Sequence, residues 1–90
     1  MAIKVTVPSY MRSFTNNVGV AEVSGSTVGE CLSHLVKLFP DMKKQLFSES
    51  GDLFEYIIIL VNGENAYPEQ LAKPVQDGDE LAILLLIGGG

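Results

Sequence analysis

The sequence predicts an α+β fold, a mixed sheet of about five strands with one main helix packed on one face. Three observations carry this expectation. Ile3, Val5 and Val7 alternate with Lys4 and Thr6 at the two-residue period of a half-buried strand. Two later runs, Tyr56 to Val61 and Glu80 to Ile87, are apolar on both faces, as central strands are. A single long stretch, beginning at Val28, repeats apolar residues at helical spacing.

Taken in order, the first strand closes at Pro8, which lacks a backbone donor. A polar stretch from Ser9 to Asn17 follows, and Asn16-Asn17 is turn material because asparagine tolerates left-handed backbone angles. Val18 to Val23 reads as the second strand. Ser24-Gly25-Ser26 breaks it, and Thr27-Val28-Gly29-Glu30 matches a capping box, in which Thr and Glu side chains satisfy free amides at a helix start. Val28, Leu32, Leu35, Val36 and Phe39 then form an apolar stripe with Cys31 beside it, while Glu30, His34 and Lys37 fall on the other side. Pro40 stops the helix, because the residue before proline resists helical angles.

Asp41 to Phe47 reads as a further short turn anchored by Met42, Leu46 and Phe47, and Ser48 to Asp52 as a polar loop. Tyr56 to Val61 is the third strand, with little solvent expected on either side. Asn62-Gly63 after it is a strong hairpin signal, predicting a brief fourth strand around Glu64 to Ala66. An irregular section through Pro68 and Pro74 leads to the Asp77-Gly78-Asp79 turn and the last strand, Glu80 to Ile87. One helix on such a sheet is the β-grasp, or ubiquitin-like, architecture. The helix covers one face only, so Ala82, Leu84 and Leu86 or their alternates are left as an apolar patch.

Ninety residues make one domain, and a composition 47% apolar and 19% charged supplies a core. We read residues 1–87 as the β-grasp domain and 88–90 as a flexible glycine tail. The net charge of -5, with six scattered basic residues, argues against nucleic acid and for a basic protein partner. Cys31 is the only cysteine, which excludes an internal disulfide, a zinc cluster and a CxxC pair. The start of the chain has no apolar h-region, and the longest apolar run is too short to cross a bilayer. A cytoplasmic protein without membrane partners is the expectation.

The sequence passes from its last strand straight into Gly88-Gly89-Gly90. Three or four extended residues reach about 10 to 14 Å, enough to enter another protein's cleft, and glycines pass where side chains would not. A carboxylate must be activated before it reacts, for example as an acyl-adenylate. Attack by sulfide or a persulfide then gives a thiocarboxylate, whereas a cysteine or lysine gives a thioester or an isopeptide. Gly90 supplies the reacting carbon in each case.

Four motifs, Thr27-Val28-Gly29-Glu30, Val61-Asn62-Gly63-Glu64, Asp77-Gly78-Asp79-Glu80-Leu81 and the Gly89-Gly90 end, occur in the order and spacing of one family. Through them the chain resembles the ThiS/MoaD sulfur carriers over nearly its whole length. The resemblance implies that Gly90 is adenylated by an E1-like enzyme, that Gly89 is its required neighbour, and that the product thiocarboxylate feeds a sulfur-accepting synthase. It also implies a sulfur donor, sulfide or a persulfide protein, and ATP used by the activating enzyme, with no cofactor bound by the chain itself. Gly88, Gly89, Ile87, Leu86 and Leu84 are the expected partner contacts. Two alternatives share the tail: a modifier conjugated to lysines, and the obligate small subunit of molybdopterin synthase. The extra length between the helix and Tyr56 is similar to that of the molybdopterin and cysteine-synthesis members. Leu84-Leu85-Leu86-Ile87 stands where family tails often carry prolines.

Other residues carry less. Cys31 lies on the apolar side of the helix, as a core residue does rather than a sulfur relay. His34 has no second ligand or base nearby in the pattern, so it reads as a solvated side chain. Tyr10, Met11 and Phe14 either close one end of the core or form a contact surface. No phosphate-binding loop and no catalytic triad can be assembled, so the chain is expected not to be an independent enzyme.

Overall fold

The computed structural model describes residues 2–86; Met1 and residues 87–90, which include the segment read as a tail, lie outside the described residues. Five strands form one sheet: β1 (Ile3–Thr6), β2 (Val20–Val23), β3 (Ile57–Val61), β4 (Glu64–Asn65) and β5 (Glu80–Leu85), in the spatial order β2-β1-β5-β3-β4. β5 runs parallel to β1 and antiparallel to β3, so the sheet is mixed as expected. Two helices lie between β2 and β3: α1 (Val28–Leu38) and the single turn α2 (Lys43–Leu46), joined by a 3₁₀ turn at Pro40–Met42. Further 3₁₀ turns span Ser9–Phe14 and Gln70–Ala72.

The core forms where α1 lies on the sheet. Val28, Cys31, Leu32 and Leu35 are fully buried against Ile3, Val5, Ile57, Ile59, Leu81 and Ile83. Met42 and Leu46 are buried as well, so the segment after Pro40 anchors to the core through the side chains that its spacing selects. Met11 is buried and Phe14 packs against the core, whereas Tyr10 is exposed, so the first loop both closes the core and offers an aromatic to solvent. The buried Thr15 hydroxyl donates to the Val18 carbonyl at 2.9 Å, which removes the cost of its burial.

Several expectations need correction, among them the last strand, which ends at Leu85 with Leu86 already outside it. The second strand starts at Val20 rather than Val18, because the Val18 amide donates to Thr15 inside the preceding turn at 2.9 Å and is lost to the sheet. In that turn Asn16 and Asn17 both take positive φ, at 53° and 65°. β3 is also wetter than its composition implies: Ile58 and Leu60 are only half-buried, since no layer formed by the described residues covers their face. His34 is not simply solvated, because its Nδ1 accepts the Ser24 backbone N–H at 2.9 Å and ties the β2–α1 linker to the helix.

The helix start differs in detail from a capping box. Thr27 Oγ1 accepts the Glu30 amide at 3.2 Å, as expected of an N-cap. The Glu30 carboxylate, however, reaches one residue further back, to the N–H and hydroxyl of Ser26 at 2.8 and 2.9 Å. Those bonds hold its pKa below the ordinary glutamate value. The same linker is clamped by the segment before β5: Lys73 accepts the Val28 amide at 2.9 Å and Val75 donates to Ser26 at 3.0 Å. Gly25 is required by the close approach of the linker to the helix start, since a Cβ there would sit 2.8 Å from Glu30 Cβ and 2.9 Å from the Cys31 nitrogen.

The two turns flanking β3 and β5 interlock. Asn62 and Gly63 take φ of 51° and 85°, the two positive angles of a tight hairpin turn. Asn62 Oδ1 accepts the Glu80 amide at 2.9 Å, and its Nδ2 donates to Asp79 Oδ1 at 3.1 Å. Asp79 Oδ2 in turn accepts the Gln76 amide at 2.8 Å. That amide, and after it Asn62, holds the Asp79 carboxyl below the ordinary value of 3.8.

Two outcomes follow. Gly25→Ala should lower unfolding stability by about 1–3 kcal/mol in denaturant titration, because the new methyl meets backbone rather than a flexible side-chain tip. A carboxylate with a depressed folded pKa stabilises above its unfolded value and loses that contribution as pH falls. Asp79→Asn should therefore weaken the protein at neutral pH and flatten its loss of stability on acidification below pH 3.8, measured by unfolding across pH.

Candidate functional site

Strand β5 is the base of the site. Leu81 and Ile83 point into the core, which by alternation turns Ala82, Leu84 and, beyond the strand, Leu86 to the other face. Leu84 is 41% and Leu86 61% exposed, so these two expected contact residues are available at the surface. The other expected site residues, Ile87, Gly88, Gly89 and Gly90, lie outside the described residues.

Register assembles a continuous surface around them. Thr6 stands between Val20 and Ala82, Ala82 faces Leu60, and Leu84 faces Ile58. Val20, Leu84 and Leu86 are exposed, and Ile58, Leu60 and Ala82 half-buried. This is the apolar patch that a one-helix sheet leaves open. Its polar margin is set by Lys4, which pairs with Glu22 on one side and Glu80 on the other.

The departure point of the chain is held by backbone. Leu86 donates its N–H to the Tyr56 carbonyl at 2.8 Å, extending the β3–β5 ladder past the end of β5. Tyr56 is exposed and stacks on Phe54 with ring centroids 5.2 Å apart and 7° between planes, a rigid aromatic pair beside Leu86. On the opposite side of β5, partial desolvation of the otherwise exposed Tyr10 ring raises its pKa, while a backbone hydrogen bond from Leu85 opposes that rise. Sequence reasoning missed Tyr56 and Val20 as surface members. Val20 was legible from alternation with buried Ala21 and Val23, but Tyr56 was hidden inside an apolar run.

The remaining candidates separate cleanly from this surface. Cys31 is fully buried, and its pKa is raised, first by burial and then by the charges of Glu30 and Asp79. It is held as the thiol, without the character of a nucleophile. Among the described residues no group of three or more His, Cys, Asp or Glu side chains is placed to hold a metal ion. No helix among them is long and apolar enough to cross a membrane.

Comparison with known proteins fits this geometry. The chain is 35% identical over 82 residues to small archaeal modifier protein 1 of Haloferax volcanii, covering 79% of this chain and 91% of that one. It is 30% identical to the sulfur carrier protein CysO of Mycobacterium tuberculosis across all of both chains. A chain in the crystal structure of the Amycolatopsis orientalis BexX/CysO complex superposes with a TM-score of 0.90 at 31% identity, covering 99% of this chain and all of that one. The ThiS family model matches residues 5–90. With this fold, the paired turn motifs and a match running through the glycines, the chain belongs to the ThiS family of ubiquitin-like, β-grasp sulfur carriers.

Proposed function

We propose that this chain is a sulfur carrier whose Gly90 carboxylate is adenylated by an E1-like enzyme and converted to a thiocarboxylate for cofactor or amino-acid biosynthesis. The observation that carries the proposal is the family match, which extends to Gly90 and aligns with a sulfur carrier over the full length of both chains. In the first step the carboxylate oxygen attacks the α-phosphate of ATP and pyrophosphate leaves. Sulfide then attacks the acyl carbon and AMP leaves, which places sulfur where oxygen was. If a persulfide protein is the source, an acyl disulfide forms and a second thiol reduces it.

The division of labour follows from what the chain offers. ATP and the catalytic side chains belong to the activating enzyme, and the carrier binds no cofactor itself. Gly88 and Gly89 give clearance in the enzyme's channel, Ile87 is a further contact at its mouth, and Leu86 and Leu84 belong to the apolar face that the enzyme and the sulfur-accepting synthase grip in turn. Desolvating an exposed leucine pair of this kind supplies affinity without any charged contact.

The 35% identity to an archaeal modifier protein supports a second reading, in which a lysine amine attacks the adenylate and an isopeptide forms. The obligate small-subunit reading adds a large synthase subunit that holds the tail, and co-purification tests it. Branched Gly-Gly remnants on cellular lysines, with no thiocarboxylate, would select the modifier reading over sulfur transfer.

With the cognate enzyme, ATP and sulfide, intact-mass spectrometry should find one oxygen replaced by sulfur. Deletion of Gly90 should abolish that change and leave the far-UV spectrum intact; a deletion variant that still gains sulfur would overturn the proposal. Leu84→Asp with Leu86→Asp should lower the kcat/KM of adenylation on the order of tenfold or more, read by pyrophosphate release, since central apolar contacts are worth about 1 kcal/mol or more each.

A further inference from the structure

The helical side of the molecule, opposite the apolar sheet face, carries a groove of about 470 Å³ between α1, the end of α2 and the Gln70–Ala72 turn. Val36, Phe47 and Leu71 form its floor, each half-buried and resting on the core. Lys37 and Lys43 stand at its rim, both exposed, and among the described residues no carboxylate lines it. α1 and the Gln70–Ala72 turn pack against each other beside the groove. There Gly29 lets them close, since a Cβ at that position would lie 3.1 Å from the Leu71 carbonyl oxygen.

The charge at this place runs against the rest of the chain. The protein has eleven acidic and six basic residues. Lys37 and Lys43 nevertheless line this groove, and Lys44 joins Lys43 and Phe47 in the hollow that adjoins it, where Glu49 is the one carboxylate among the described residues. Positive charge beside half-exposed apolar side chains is complementary to a segment with the opposite charge and an apolar anchor. A basic partner, which the overall charge favours elsewhere, is repelled here.

We propose that this groove docks a partner-protein segment in which Asp or Glu side chains flank an aliphatic or aromatic anchor. The anchor sits on Val36, Phe47 and Leu71, and the carboxylates meet Lys37 and Lys43. The site lies across the helix layer from Leu84 and Leu86, so it is open while the tail and sheet face are engaged, and it does not depend on the tail chemistry.

The test is an unbiased peptide-display selection against the full chain, repeated against Lys37→Glu with Lys43→Glu. Both lysines are exposed, and a thermal melt checks that the reversed variant folds; Lys37→Gln with Lys43→Gln serves if it does not. Enriched peptides should combine acidic residues with an apolar one, shift the amide resonances of Val36, Phe47 and Leu71, and bind the reversed variant about fivefold or more weakly. Their binding should also weaken with added salt. Enrichment of basic or neutral peptides, shifts confined to the sheet face, or equal binding to both forms would overturn the proposal. Lysine-dependent binding to phosphatidylserine vesicles without any acidic peptide being enriched would overturn it too, in favour of a lipid surface. Sulfur loading of Gly90 by the cognate enzyme should be the same for both forms, so the two proposals fail separately.

Discussion

The structure depends on a strand that is paired along both edges and covered on one face alone. β5 takes its register from β1 in parallel and from β3 antiparallel, and that position buries Leu81 and Ile83 under α1. The same pleat must then send Ala82 and Leu84 to the uncovered side. Exposed apolar surface is thus the geometric counterpart of the core, and a one-residue slip of β5 would exchange the two faces.

The interlocked turns explain how such a strand keeps its register. Asn62 makes three bonds to the Asp79–Glu80 pair: its side-chain carbonyl and amide to Glu80 N–H and Asp79, and its own N–H to the Glu80 carbonyl at 2.7 Å. A hairpin turn and the start of a distant strand are joined there as one unit. The two motifs are separate signals along the chain and a single structure in space, and a one-residue slip of β5 would break every one of these bonds.

Much of the fold was legible because it rests on local chemistry. The alternation in β1, the Asn62-Gly63 turn, the Thr27 cap and the Pro40 stop are each determined by residues within a few positions of one another. The sequence was less informative where a long-range contact decides. The Lys73–Val75 segment, which bonds Val28 and Ser26 from more than forty residues away, leaves no mark in the sequence around the helix start, and the need for glycine at position 25 shows only once the linker folds back onto Glu30 and Cys31. At the candidate site periodicity offered Leu84 and Leu86 or their alternates, and packing under α1 decides between them, whereas Tyr56 gained its place only through stacking on Phe54 and bonding to Leu86. The lysine-rimmed groove escaped notice because α1, α2 and the Gln70–Ala72 turn meet only after folding.

The parallel pairing of β1 with β5 has a mechanical consequence. The first and last strands of the sheet lie side by side and point the same way, with Lys4, Val5 and Thr6 opposite Glu80, Leu81 and Ala82. Tension applied along β5 from its C-terminal end therefore acts parallel to the strands and strains their cross-bonds together, in shear, rather than peeling them one by one. The domain is built to be held by its last strand without unravelling from it.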